Sequence, residues 1–211
     1  MTFHFSSFSI EHSESVMKVG VDAILLGAWA QIQDRRRILE VGTGSGVITV
    51  ILAHRNAGAE IIAIDKSSAA VELANRNIVN AGLQERVDVK RINFHDVQIS
   101  EQNPRFDSII SNPPFFKTDL RSDNPTRNEW RHSIDLDFDI LLEHTDLLDT
   151  EGSFQLILPY QPPEYFSGKA ASCLMRLKRY CTIRPKEGKS PHRVLVEIEK
   201  TNGENLAHTS L

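Results

Sequence analysis

A chain of 211 residues, 40% hydrophobic and 25% charged, has the size and balance of one globular domain with a sizeable core, and no apolar run approaches the roughly 20 residues needed to cross a bilayer. Its formal net charge of −4 excludes nucleic-acid binding through a global basic excess and leaves only local clusters of positive charge for that purpose. Residues 1–8 lack the basic start and apolar stretch of a signal peptide, so a cytoplasmic location is expected; Cys173 and Cys181, with no Cys or His at metal-ligand spacing, point to buried or incidental thiols rather than a disulfide or a zinc site.

In chain order, the segment 3–31 carries a helix candidate around 21–30. Arg37–Val41 then reads as a short apolar strand followed at once by glycines, and three comparable runs follow at 60–65, 87–92 and 106–111. Helices are expected at 47–55 and 67–81, the second because Ala70, Leu73, Ala74, Asn77, Ile78 and Ala81 recur at helical spacing. Ser67 suits its N-cap and Gly82 its C′ position. Further on, 139–148 reads as a helix, 153–159 as a strand, 164–177 as a helix and 194–200 as a last strand.

Strands alternating with helices over short connections require crossovers, which predicts a Rossmann-like α/β domain: a largely parallel twisted sheet, helices on both faces, and an antiparallel C-terminal strand. Residues 1–200 are expected to form this single domain, with 201–211, polar and patternless, as a frayed tail. No internal repeat or low-complexity stretch interrupts it.

The first strand runs into Glu40-Val-Gly42-Thr-Gly44-Ser-Gly46, a turn in which absent side chains let a ligand approach the backbone at a helix N-terminus. Two glycines could merely connect strand to helix; three at alternate positions fit that reading poorly. Asp65, 21 residues after Gly44, ends the second strand, where such folds hydrogen-bond a ribose diol. A nucleoside ligand follows. The dinucleotide fingerprint is Gly-x-Gly-x-x-Gly, and here the third glycine comes one residue early.

The sharpest signal is Asn112-Pro113-Pro114-Phe115 at the end of the fourth strand, where open parallel sheets bind ligands. A planar amino group conjugated to an adenine or an amide has its lone pair delocalised, so it attacks a methyl group only when reoriented and repolarised. Acceptors aimed at its two hydrogens do this, and the Asn112 side-chain oxygen and the Pro113 carbonyl can supply them. The prolines fix the backbone and bring no competing N–H. Phe115 offers a face for a flipped base, a stacking contribution of about 1–3 kcal/mol in comparable cases. No general base is required, since alignment supplies much of the rate and the proton can leave after transfer. The bland alternative, an ordinary Asn-Pro-Pro turn with Phe115 in the core, accounts less well for the agreement of strand-end placement, glycine turn and acidic residue.

The glycine spacing resembles the first motif of S-adenosylmethionine methyltransferases, and Asn112-Pro-Pro-Phe115 resembles the Asn/Asp-Pro-Pro-Tyr/Phe signature of those acting on amino nitrogens of adenine, guanine or glutamine. The N-terminal stretch Phe3-His-Phe5, Phe8-Ser-Ile10, Met17-Lys-Val19 and Asp22-Ala-Ile-Leu-Leu-Gly-Ala-Trp29, with 109–116 and the Arg131-His132 pair, looks like the bacterial tRNA1(Val) adenine-37 N6-methyltransferases over roughly residues 3–200. The resemblance implies S-adenosyl-L-methionine as cofactor, held by Glu40, Gly42, Gly44, Gly46, Asp65 and Asp96, with Lys18 and Asp22 near it in the extension 1–36. It implies Asn112, Pro113, Pro114 and Phe115 as catalytic residues, Arg131-His132 at the substrate entrance, and tRNA, through its anticodon stem-loop, as partner, with no metal, membrane or obligate protein partner. Relatives commonly carry Tyr where this chain has Phe115, so stacking is kept and a phenolic hydrogen bond is lost.

A glutamine N5-methyltransferase poses the same geometric problem but usually carries an extra N-terminal helical domain, for which the 36 residues before the first strand leave no room. A DNA adenine methyltransferase needs a target-recognition region that is absent here, while an RNA guanine N2-methyltransferase stays open. A noncatalytic binding module is opposed by the intact Asn-Pro-Pro-Phe, and a nicotinamide oxidoreductase by the glycine spacing. Arg121, Arg127, Arg131 and His132, and Arg176, Lys178, Arg179, Arg184, Lys186, Lys189 and Arg193, are the local basic clusters, each residue singly more consistent with solvated surface charge.

Overall fold

In the computed structural model the described residues are 2–13, 16, 19–113 and 138–201. The expected βα alternation is present: β3 (Arg37–Val41), α2 (Val47–Arg55), β4 (Glu60–Asp65), α3 (Ser68–Asn80), β5 (Val87–Arg91) and β6 (Phe106–Ser111). Ahead of them lie a short hairpin, β1 (Thr2–His4) with β2 (Ser9–Glu11), and α1 (Val21–Trp29); after them come α4 (Phe138–Glu143), β7 (Leu148–Pro159), α5 (Pro163–Ser172), β8 (Met175–Ile183) and β9 (Arg193–Lys200).

The main sheet has the order β5-β4-β3-β6-β7-β9-β8. Its first five strands are parallel, and β9 and β8 are antiparallel additions. Because β3 is hydrogen-bonded to both β4 and β6, the winding reverses there, and the crevice at the carboxyl ends of β3 and β6 is the switch point at which such sheets take ligands.

The strands bury both faces by simple alternation. Ile38, Ile110 and Ile157 pack with α1 and α2, while their neighbours Leu39, Ile109 and Leu156 pack with α4 and α5. The α3 helix starts as its sequence suggests, with Ser67 accepting from the Ala70 N–H, and it stops at Gly82, whose φ of +69° a side chain would disfavour.

Two expected helices are shorter than their apolar spacing suggested. The one expected over 139–148 ends at Glu143; a 3-10 turn over Thr145–Leu147 follows, and the strand begins at Leu148, five residues early. The register between β6 and β7 jumps from Phe106↔Leu148 to Ser108↔Ser153, so the strand start is hidden behind a bulge. A Cβ on Gly152 would lie 2.9 Å from Leu148 Cβ, which makes glycine a requirement of that bulge. The helix expected over 164–177 stops at Ser172; Leu174 has φ +55°, and Met175 opens a second antiparallel strand where one was expected. That strand escaped notice because it is a charged edge: Arg176, Lys178 and Arg179 face Glu197 and Glu199 of β9.

Candidate active site at the sheet switch point

Glu40, Asp65, Asp96 and Asn112 all lie in or just beyond the carboxyl ends of adjacent strands β3, β4, β5 and β6. At about 4.8 Å per strand, the row from β5 to β6 spans about 14 Å. The sheet thus brings together the residues that the sequence singled out from separate motifs.

The glycine turn is the centre of this row. Gly42, Gly44 and Gly46 have φ of +74°, +56° and +78°, values that L side chains disfavour. Gly42 and Thr43 donate to the Ile64 carbonyl at 2.9 and 3.0 Å, and Gly46 donates to Thr43 O at 2.8 Å. The alternate glycines serve different ends. Among the described residues, a Cβ on Gly42 would meet nothing within 4 Å, and one on Gly44 only Val16 Cγ1 at 4.0 Å, whereas one on Gly46 would press on Ala74 Cα and Cβ at 3.3 Å. The first two leave an open cradle, and the third allows α2 to pack against α3.

Asp65 sits half-buried at the end of β4, its Oδ2 accepting from the Gly44 N–H at 3.0 Å and its Oδ1 from the Ser67 N–H at 2.9 Å. A carboxylate has about four acceptor positions, so two remain for a ligand. Asp96 is exposed in the 3-10 turn after β5, at the outer end of the row.

Glu40 is fully buried at the base of the turn. Its Oε2 accepts hydroxyl hydrogen bonds from Thr43, at 2.9 Å, and from Thr49. Its Oε1 is buried without a hydrogen-bond partner among the described residues. Burial pushes the carboxyl up to about 8; hydrogen bonds from Thr43 and Thr49 oppose that rise and the negative charge of Asp65 adds to it. A buried acid with one oxygen unmet, beside an open glycine cradle, is prepared to receive a cationic ligand group.

Asn112, half-buried, and Pro113, buried, follow β6 directly. The strand end is fixed across the switch point, since Ser111 Oγ donates to Val41 O at 2.9 Å. Pro114 and Phe115 lie outside the described residues, as do Lys18, Arg121, Arg127, Arg131, His132 and residues 202–211. Asp22, near the start of α1, accepts from Arg193 Nε at 2.9 Å. That hydrogen bond ties the start of α1 to the start of β9 at the carboxyl edge of the sheet.

Sequence reasoning passed over the residues that hold the turn. Asn77 shares the helical spacing of the apolar face of α3, yet its buried side chain donates to Ser45 O at 2.8 Å and to Glu11 O at 2.9 Å and accepts from the Glu11 N–H at 2.8 Å. It therefore ties β2 and the glycine turn to one helix position. A lone amide on an otherwise apolar helix face was the available signal.

Residues 15–157 match the family model described as the methyltransferase small domain. The chain is 38% identical over 198 residues to the tRNA1(Val) (adenine(37)-N6)-methyltransferase of Phocaeicola vulgatus, covering 93% of this chain and 83% of that protein. It is 36% identical over 200 residues to the protein of the same name from Dyadobacter fermentans, covering 94% and 82%. Among solved structures, M. jannaschii TYW2 in complex with AdoMet superposes with a TM-score of 0.61 over 95% of this chain and 86% of its own, at 14% identity, which speaks to the fold alone. The shared fold, the family model and the extent of identity lead to one assignment: the chain belongs to the tRNA1(Val) (adenine(37)-N6)-methyltransferase family.

Proposed function

We propose that this protein methylates the N6 amino group of an adenine in tRNA, adenine 37 of the anticodon loop of tRNA1(Val), using S-adenosyl-L-methionine in the cytoplasm. The observation that carries the reading is the position of Asn112-Pro113 beyond β6, directly across the switch point from the glycine turn of β3. Names shared by relatives that cover most of the chain support the same substrate.

The residues present fit the cofactor. Gly42 and Gly44 leave space where side chains would stand, and the buried, unmet Glu40 Oε1 suits an ammonium. Asp65 has acceptor capacity left for a ribose diol, and Asp96 stands farther along the edge for the adenine amino group. When bound, S-adenosylmethionine supplies a sulfonium methyl as electrophile.

The chain's own part is to present the amine. The Asn112 side-chain oxygen and the Pro113 carbonyl accept from its two hydrogens, which turns the nitrogen lone pair out of conjugation and towards the cofactor side of the crevice. Neither acceptor takes up a proton at neutral pH, so the proton leaves to water after the nitrogen has been alkylated. Phe115 follows in sequence and provides the ring on which the flipped base stacks.

The test is transfer of labelled methyl from S-adenosylmethionine to undermodified total tRNA, followed by nucleoside mass spectrometry. N6-methyladenosine is the expected product. N2-methylguanosine, or labelling of a release factor instead of tRNA, would overturn the reading.

A further inference from the structure

The basic residues near the C-terminus divide into two groups once their surroundings are known. Arg176 donates to Glu199 at 2.8 Å, Lys178 stands 2.7 Å from Glu199, and Arg179 lies 3.1 Å from Glu197 and over the Trp29 ring at 3.8 Å. Arg193 is paired with Asp22 at 2.9 Å. These four are paired within the fold, sharing the three carboxylates of Glu197, Glu199 and Asp22. Arg184, Lys186 and Lys189 are exposed, with no ion pair recorded among the described residues, and all three lie in the hairpin turn joining β8 to β9.

That turn is built, not loose. His192 N–H donates to Ile183 O at 3.0 Å, Lys189 N–H donates to Lys186 O at 3.2 Å, and Gly188 adopts φ +73°. Within it only Glu187 carries negative charge. A chain with a net charge of −4 thus presents a local positive tip.

Its position gives the tip meaning. Ser111, just before Asn112, pairs with Leu156 of β7; three residues farther, Pro159 pairs with Arg193, which in turn pairs with Ile183. At about 3.3 Å per residue and 4.8 Å per strand, the base of the hairpin stands about 15 Å from Asn112, on the same carboxyl edge of the sheet. Between them is Tyr160, 39% exposed, its N–H bonded to His192 O at 3.1 Å. A nucleic-acid duplex carries one charge per about 1.7 Å of axis, so a span of this length meets several phosphates.

We propose that the β8–β9 hairpin, through Arg184, Lys186 and Lys189, is a phosphate-gripping arm that holds the anticodon arm of the substrate RNA while the target base enters at Asn112. The inference rests on the tRNA reading above. It explains how an acidic protein binds a polyanion: most C-terminal cations are consumed by β9 carboxylates and Asp22, and the three left over face the substrate side.

The test is the salt dependence of tRNA binding for the full chain, alongside S-adenosylmethionine affinity by calorimetry. The combined variant Arg184→Gln, Lys186→Gln, Lys189→Gln is expected to weaken tRNA binding at least about tenfold and to reduce the slope of log K against log salt by roughly 2 to 3, with cofactor affinity unchanged. Glu187→Lys is expected to tighten tRNA binding, a gain that misfolding does not produce. Lys178→Gln, a charge loss at a paired position, is expected to leave the slope as it was. If the triple variant keeps the wild-type slope, or Lys178→Gln lowers it as much per charge, the hairpin is not the arm. If the wild-type protein methylates tRNA normally in those cases, the tRNA reading stands and only this inference falls; if the wild-type protein neither binds nor methylates tRNA, both fall.

Discussion

The Gly44 N–H donates to Asp65 Oδ2 at 3.0 Å, so the residue that ends β4 also sets the shape of the turn that ends β3. Asp65 holds the cradle, and in the proposed cofactor site its remaining acceptor positions serve the ribose. Asp65→Ala is expected to weaken S-adenosylmethionine binding by about 10- to 100-fold, the scale of one lost charge-assisted hydrogen bond. Asp65→Asn, which keeps a side-chain acceptor, should lose less. Calorimetric titration of both variants checks this, and unchanged affinity in the alanine variant would move the ribose site elsewhere.

Gly42 and Gly46 share a positive φ but differ in what surrounds them. Gly46→Ala combines the left-handed penalty of about 1–2 kcal/mol with a 3.3 Å clash against Ala74 Cα and Cβ, so it is expected to lower the melting temperature the more. Gly42→Ala meets nothing within 4 Å among the described residues, so its stability loss is confined to the backbone strain while its new methyl projects into the cradle. Thermal melts with and without cofactor separate the two: ligand-induced stabilisation should disappear in Gly42→Ala, while the unliganded melt should fall further in Gly46→Ala.

Much of the fold around this site is legible in the sequence. Arg37–Val41, Val47–Arg55, Glu60–Asp65 and Phe106–Ser111 have the expected bounds, because buried parallel strands are short, mostly apolar runs that stop where the glycine turn, Asp65-Lys66 and Asn112-Pro113 begin. The placement of the glycine turn, Asp65 and Asn112 at strand ends is legible because it depends on residue type at fixed spacing from the apolar runs. What stayed hidden depends on tertiary pairing. The strand β8 has charges where a buried strand has Val or Ile, since it is an edge strand whose cations stand opposite the buried Glu197 and Glu199. Asn77 looks like an interruption of an apolar stripe until Glu11 and Ser45 are placed beside it. Likewise, the split of the C-terminal cations into paired and unpaired groups required knowing which carboxylates they meet.

Glu40 gives the protein a pH dependence of definite sign. Its carboxyl is raised from 4.5 to about 8 by burial, so between those pH values the folded protein holds a proton that the unfolded chain has released. Folding is then favoured at the acid end of the window and loses stability as pH rises towards about 8. Glu40→Gln cannot ionise, so this contribution to the slope of melting temperature against pH between 5 and 8 should vanish in the unliganded variant. In the proposed site the same substitution removes the anion offered to the cofactor ammonium, so calorimetry in buffers of different ionisation heat should show a proton released on cofactor binding to wild type and none in the variant. A wild-type slope retained by Glu40→Gln would assign the pH dependence to another group.

Asn112 separates chemistry from cofactor binding. It lies across the switch point from the glycine turn, one residue past Ser111, whose hydroxyl bonds to Val41 O at 2.9 Å and so fixes where the asparagine starts. Its proposed contact is with the target amine, and the contact strengthens as that nitrogen loses conjugation, so it acts mainly in the transition state. Asn112→Ala is expected to lower the single-turnover rate of methyl transfer by about 10²- to 10³-fold, the range for deleting one preorganised hydrogen-bonding group. Cofactor affinity should stay within about twofold, a change of about 0.4 kcal/mol. A Ser111→Ala control, which removes only the strand-end anchor, should give a smaller rate loss. Parallel losses of rate and cofactor affinity in Asn112→Ala would place the side chain against the cofactor, and the acceptors for the amine would then have to be sought in the backbone carbonyls that follow β6.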